Sequence, residues 1–355
     1  LTPSLQQAAR LPPPAGPGDR VGVAALSGPV DPERLERGLA ALRGLGFEPV
    51  LADNAASREG LFAGGDAARL AAFHRLAADA DLPAILFTRG GHGLLRVLPG
   101  IDWELLRRRP RAYVGYSDLT PFLLAVVRRL GLVAFHGPLV GGELARGLTG
   151  GERESLLGAL GGRYPVELPL TGWLRDGVAA GPLLGGCLSL LTATLGTPWF
   201  PELSGALLFL EDVNEPPYRL DRMLTHLALS GSLDCIGGMI IGHLDAGDAV
   251  DATDATDIGG MGGTGDIGRH PESPAAGRPG RAGVELIADN LRGFAWPLAW
   301  GLESGHRAPN LTLPLGMAAR LDAGRSGGPG LAGGPGGPGL AGGPGGPGGG
   351  RLALG

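Results

Sequence analysis

The sequence predicts an α/β protein: a mostly parallel N-terminal sheet with flanking helices and a serine on a strand-to-helix elbow, followed by a β-rich C-terminal unit. Three observations carry that expectation. Short apolar runs alternate with stretches of helical period between residues 21 and 138, the runs end in glycine-bearing turns, and beyond about residue 165 the runs shorten with one helical stretch among them. Strands that alternate with helices of this length imply parallel pairing, because a parallel neighbour is reached only through a crossover.

The elements follow in order. VGVAALSG (21–28) is an apolar run ending in glycine, and PERLERGLAALRGLG (32–46) spaces its apolar residues as a helix does, with Gly46 as its stop. FEPVLA reads as a strand, DAARLAAFHRLAAD as a helix, PAILFTRGG as a strand, WELLRRRP as a helix and RAYVGYS as a strand. In the second half GALLFLED (205–212), IGGMIIGHL (236–244), NLTLPLG and MAARLD read as strands, and PYRLDRMLTHLALSG (217–231) as the helix. The expected division is an N-terminal extension (1–20), an α/β unit (21–165), a β-rich unit (166–322), and a Gly/Pro-rich loop with a last strand (323–355).

Composition narrows the function classes. The chain has 355 residues, 43% of them hydrophobic, enough for two cores and without an apolar run of membrane length. The opening LTPSLQQAARLPPPAGPGDR lacks a basic cluster followed by an apolar stretch, so no signal peptide is expected and a cytoplasmic location is the default. Cys187 and Cys235, alone in a chain of this size, are expected buried and reduced. The net charge of -5 includes 30 basic residues, all arginine and scattered, so neither a nucleic acid nor a membrane is an expected partner.

Two stretches stand apart. Residues 245–283 are rich in Asp, Gly and Pro without apolar period and read as an expanded loop, their carboxylates lacking the regular spacing of a calcium loop. GGPGLAGGPGGPGLAGGPGGPGGG (327–350) keeps glycine at every third position, yet eight triplets would make a feeble triple helix. A loop inside a final hairpin, with RLALG as the return strand, fits better.

In VGYSDLTPFLLAVVRRLG (114–131), Ser117 falls where a strand turns into a helix, the place for an exposed hydroxyl beside free helix N-terminal amides. Leu119 replaces the second glycine of G-x-S-x-G, so an ordinary α/β-hydrolase is a poor match, and Ser117 or Asp118 could instead cap the helix. Ser27, Arg89–Gly93 and Ser117 all lie at the carboxyl ends of predicted strands, where ligand chemistry gathers in such sheets. A nucleophilic serine needs an imidazole and an acid. His74, His226 and His270 fall on helices or in the low-complexity loop, whereas His92, His136, His243 and His306 lie in glycine-containing turns. Glu211 ends the apolar strand LLFLED, where a cap or a salt bridge is an equally ordinary role. The RGGHG turn is neither G-x-G-x-x-G nor a P-loop, His92, His136 and His243 lack close-spaced ligand pairs such as H-x-x-x-H, and no metal or other cofactor is expected.

The segments RGGHGLLRVLPGIDW (89–103), YVGYSDLTPFLLA (113–125), FHGP (135–138), GPLLGGCLSLL (181–191), LLFLEDVNEPPYRLDRMLTHL (207–227) and GHRAPNLTLPLG (305–316) resemble, in order, the LD-carboxypeptidases, a serine peptidase family that includes murein tetrapeptide carboxypeptidases and the microcin C immunity peptidase. The resemblance implies a Ser-Glu-His triad divided between domains: Ser117 as nucleophile, Glu211 as acid and His306 as base. It also implies an oxyanion hole of backbone amides near Gly91 and Asp118, a murein tetrapeptide as substrate with its terminal D-alanine removed, and a homodimer. Recognition of a free carboxylate suits a bidentate arginine, for which Arg89, Arg96 and Arg307 are the candidates. Two departures stand out: His92 replaces the tyrosine of RGGYG, and the stretch between Glu211 and His306 is lengthened. The alternatives are an immunity-type peptidase acting on peptidyl or aminoacyl nucleotides, with Trp173 or Trp199 as a stacking platform, and a non-catalytic binding module on the same scaffold.

Overall fold

The computed structural model describes residues 9–164, 167–244, 281–324 and 350–355. The acidic segment 245–280 with its calcium alternative, His270, and the Gly-Pro triplets of 327–349 lie outside the described residues.

Five parallel strands form the N-terminal sheet: β1 (Arg20–Ala24), β2 (Glu48–Leu51), β3 (Ala84–Phe87), β4 (Ala112–Gly115) and β5 (Ala134–His136). Their connections carry α1 (Pro32–Gly44), α2 (Asp66–Ala78), α3 (Leu94–Val97), α4 (Trp103–Arg108) and α5 (Thr120–Leu130), and α6 (Gly150–Leu160) follows β5. Asp31 caps α1 by accepting from the Arg34 amide, with Pro32 at the first helical position, the arrangement that pre-sets a helix start. At the far end of α2, the buried Arg111 guanidinium donates to the carbonyls of Leu76, Ala77 and Asp79 at 2.8–3.1 Å, which makes its burial tolerable.

The core beneath α5 is aromatic. Phe122 meets Phe73, Phe87 and Tyr113 edge-on, with centroids 5.2–5.6 Å apart. Burying each such ring contributes about 1.5–3 kcal/mol. Almost every residue of α5 is buried because one side packs on β4 and β5 while the other faces the second sheet.

The second sheet has the order β6 (Glu167–Pro169), β14 (Arg351–Leu354), β13 (Ala318–Ala323), β8 (Gly177–Cys187), β9 (Leu207–Asp212), β10 (Gly238–Leu244), β11 (Leu298–Trp300), β7 (Gly172–Arg175). Its centre, β8 to β11, is parallel and its flanks are antiparallel. RLALG is the return strand of the final hairpin, paired with β13. Where the sequence implies one helix, the described residues hold three: α7 (Leu188–Thr192), α8 (Pro217–Leu229) and α9 (Arg281–Asn290), whose first turn takes the last residues of the 245–283 stretch.

The two sheets meet at the elbow. A Cβ on Gly186, at φ 135°, would lie 2.8 Å from the Thr120 hydroxyl, so the bare backbone lets β8 approach the start of α5. The Cys187 amide then donates to that hydroxyl at 3.2 Å.

Two expectations need correction. The sequence order places NLTLPLG in the second unit, but β12 (Leu313–Leu315) pairs antiparallel with β5 as the edge strand of the first sheet. Pro314, which has no N–H to donate, is tolerated in an edge strand, and both flanking leucines are buried there. Cys187 is buried as expected, whereas Cys235 is exposed, in the turn that leads into β10.

Candidate active site

The elbow forms because β4 is buried along its whole length and the chain must reverse direction at its end. Tyr116 is extended, Ser117 takes φ 63°, and a 3-10 turn (Ser117–Leu119) leads into α5. A left-handed serine costs about 1–3 kcal/mol and persists where its surroundings over-determine it. Neither residue offered as a helix cap is one. Helix α5 has no side-chain cap, the Ser117 hydroxyl meets His306, and the Asp118 carboxylate accepts from the Leu94 amide at 2.9 Å.

That last bond ties the RGGHG turn to the elbow. A Cβ on Gly90 would lie 2.8 Å from that of Ser117, so this position of the motif has room only for glycine. The Gly90 carbonyl accepts from the Gly28 amide at 2.9 Å, which brings the loop bearing Ser27, the RGGHG turn and Ser117 into one mouth. Because a trans peptide points its C=O and N–H in opposite directions, the Gly91 amide faces away from Gly28. The Asp118 amide lies in the first turn after the elbow, among the groups that a helix start leaves without an intrahelical acceptor.

Across this mouth His306 Nε2 lies 3.0 Å from Ser117 Oγ, and His306 Nδ1 lies 2.7 Å from Glu211 Oε2. Glu211 is fully buried near the end of β9, beside Cys187 of β8, and the His306 side chain keeps 14% of its surface exposed. A carboxylate oxygen can only accept, so Nδ1 carries the proton and Nε2 is left to accept from the serine hydroxyl. Burial alone would lower the His306 pKa, but the carboxylates of Glu211, Asp212 and Glu143 outweigh it and hold it above its ordinary 6.5.

The sign of the pH dependence follows. With neutral imidazole as the base, kcat/KM should rise with pH through a midpoint above 6.5, measured on the free enzyme with a slow substrate. The same shift stabilises the fold in full below the unfolded pKa and is lost as pH rises through the folded one. Over one window activity is therefore gained while this part of the stability is given up. An acid limb centred below 6.5 contradicts this.

Several residues around the triad were not singled out by the sequence or stand elsewhere than it implied. The Tyr116 ring meets His306 edge-on at 4.8 Å, and its hydroxyl donates to buried Glu143 at 2.7 Å; Glu143 also accepts from the Leu139 amide at 2.9 Å. Burial, then the Glu143 charge, pushes the Tyr116 phenol well up. Arg69, fully buried, donates to the Gly93 carbonyl at 3.0 Å and to the Leu26 carbonyl, bracing the turns that follow β1 and β3. His136 and His243, expected in turns, are buried strand residues of β5 and β10. Burial lowers them to about 3 and about 4, so both stay neutral. His92 is exposed in its turn and stacks on Phe62 at 5.8 Å, while His74 and His226 lie on helices α2 and α8, as expected.

The arginines divide. Arg96 is bound to Asp66 by three hydrogen bonds of 3.0–3.2 Å and lies over the Phe62 ring, and Asp66 also accepts from Arg69 at 2.6 Å, so one carboxylate faces two guanidiniums. Arg89 is half-buried, donates to the Pro29 carbonyl at 2.9 Å and makes no ion pair among the described residues. Burial, then repulsion from Arg34 and Arg58, lowers its pKa. Arg307 is half-buried directly after His306.

A two-sheet α/β scaffold with an elbow serine hydrogen-bonded to a histidine and a buried carboxylate is an arrangement suited to acyl transfer. Residues 21–137 match the model of the LD-carboxypeptidase N-terminal domain, and residues 180–321 that of the C-terminal domain. The chain belongs to the LD-carboxypeptidase family of peptidases. A Streptomyces coelicolor protein named as a putative carboxypeptidase is 38% identical over 315 residues, covering 86% of this chain and 91% of that one. A Bacillus subtilis protein named as a probable murein peptide carboxypeptidase is 40% identical over 229 residues, 63% of this chain and 72% of that one. The crystal structure of muramoyltetrapeptide carboxypeptidase from Oxalobacter formigenes superposes with a TM-score of 0.73 at 25% identity, over 95% of this chain and 98% of that one. No helix among the described residues is long and apolar enough to cross a membrane.

Proposed function

We propose that this protein is a serine LD-carboxypeptidase that removes the terminal D-alanine from murein tetrapeptides, in cytoplasmic cell-wall recycling. The observation that carries the reading is the unbroken hydrogen-bonded chain from Ser117 through His306 to Glu211. In this reading His306 Nε2 takes the Ser117 proton as Oγ attacks the carbonyl that precedes D-alanine. Glu211 holds the imidazolium, and the amides of Gly91 and Asp118 receive the oxyanion. The tetrahedral adduct collapses as His306 protonates the departing D-alanine amine. Water, deprotonated by the same imidazole, then releases the tripeptide from Ser117. Arg89, Arg96 and Arg307 are the candidates for the D-alanine carboxylate, and Arg89 has the better support because burial and like charges leave it short of negative charge, whereas Arg96 is held by Asp66.

The family's other branch acts on peptidyl nucleotides and calls for an aromatic face free to stack. Trp199 does not offer one, since Arg129 lies 4.3 Å from its centroid and Trp103 packs at 6.0 Å. Trp173 sits half-buried on β7. The deciding experiment presents the purified protein with a murein tetrapeptide and, separately, with a peptidyl-adenylate analogue. D-Alanine release from the first with little turnover of the second is expected. Turnover of the analogue alone assigns the protein to the immunity branch, and silence on both assigns it to a binding role.

A further inference from the structure

His306 sits on a loop that leaves the second sheet at β11 and enters the first at β12. Asn310 closes this loop from inside. Its Oδ1 accepts from the Gly305 amide, immediately before His306, at 3.0 Å and from the Ser304 hydroxyl at 3.3 Å. The Asn310 amide in turn donates to Glu152 Oε1 at 2.8 Å, across 158 residues of sequence. Glu152 lies in the first turn of α6 and is fully buried. Its Oε2 accepts from the Thr149 amide at 2.7 Å, completing a capping box, and its Oε1 also accepts from Arg146 at 2.7 Å. Ser155, further along α6, accepts from the Thr312 amide at 3.1 Å.

A capping box needs the Glu152 carboxylate only for the cap amide. The remaining oxygen is spent on the loop that bears His306, and a charged, buried acceptor makes the stronger and more directional bond. The geometry points to Glu152 as a positioning residue that, through Asn310, sets the reach of His306 toward Ser117 and couples the start of α6 to the base. This rests on the reading of His306 as the base. Burial would raise the Glu152 pKa, but the amides of Asn310 and Thr149 and the Arg146 guanidinium outweigh it, so the carboxylate stays charged at neutral pH. The charge matters because the partners are all donors: an N–H from Thr149, an N–H from Asn310 and a guanidinium.

Glu152→Gln keeps the shape but turns one acceptor into a donor facing a donor. Asn310→Ala leaves the capping box whole and cuts the step to Gly305, together with the longer bond from the Ser304 hydroxyl, which keeps the Leu311 carbonyl as its acceptor at 2.9 Å. Misplacing a reacting group by about 1 Å costs up to about 10²-fold in rate. Each variant should therefore lose about that factor in kcat, with KM within about twofold. The double variant should lose no more than the worse single one, since both cut the same relay. Proton NMR gives a readout independent of turnover: the low-field resonance of the His306 Nδ1 proton bonded to Glu211 should broaden or vanish in both variants, with melting used to establish that they fold. An unchanged kcat and an unchanged resonance in folded Asn310→Ala overturn the inference, as does a loss confined to KM. If the wild type releases no D-alanine, the functional reading falls, and the His306 resonance alone decides whether Glu152 positions the loop.

Discussion

Ser117→Ala is expected to reduce D-alanine release by about 10⁶-fold in kcat, the scale on which losing a triad nucleophile acts. The substitution removes one oxygen and keeps the Cβ that packs against Gly90. Alanine at φ 63° is strained much as serine is, so the melting temperature should move by only a degree or two, about 0.5 kcal/mol or less for a domain of about 150–250 residues. The two readouts together separate chemistry from folding. A folded variant that keeps a tenth of the wild-type rate would mean that the elbow serine only holds His306 in place, and that attack comes from elsewhere.

The second large effect is expected at Glu211. Glu211→Gln should cost about 10⁴-fold in kcat, because an amide can present N–H to Nδ1, which moves the imidazole proton to Nε2 and leaves no acceptor for the serine. The pH profile should change as well. Glu211 is the foremost influence holding His306 up against its burial, so the acid limb of whatever activity remains should move to lower pH than in the wild type. The profile is measured from pH 5 to 9 with enough enzyme to see slow turnover, and an unshifted limb would mean that His306 is not the group titrating.

The N-terminal sheet was legible because its strands are continuous apolar runs and its helices carry one apolar stripe, patterns that survive without any knowledge of tertiary contacts. Ser117 could be read from the same switch of period, since a strand that hands over to a helix within two residues must place something on the turn. Glu211 was visible as a carboxylate ending a buried run, though nothing local distinguished it from a cap. His306 was different: a histidine in a glycine-containing loop has no periodic signature, and only the family resemblance singled it out.

What escaped the sequence has a common cause. β12 is a three-residue strand, and no pattern so short encodes which of two sheets it will join; its place follows from the return of the chain after the His306 loop. Arg96 lies near the RGGHG turn in sequence, but the helical direction of α3 carries its guanidinium to Asp66. Arg69, Glu143 and Glu152 are buried polar groups made tolerable by partners 3 to 158 residues away, and the distant part of that satisfaction is a property of the folded chain alone. Two such signals could have been noticed: a charged residue among Ala and Leu on the inner face of a predicted helix, as Arg69 is in DAARLAAF, and the T-x-x-E spacing of Thr149 and Glu152 at a helix start.

The central claim is that Ser117 becomes covalently acylated by the peptide it cuts. Enzyme mixed with murein tetrapeptide is quenched in acid at intervals through the first turnover, digested and mapped by mass spectrometry. The tripeptide acyl mass is predicted on the fragment that carries Ser117, rising as D-alanine appears and decaying as tripeptide is released. A full equivalent of D-alanine released while the Ser117 fragment stays unmodified at every interval, or an acyl mass on another side chain, would contradict it.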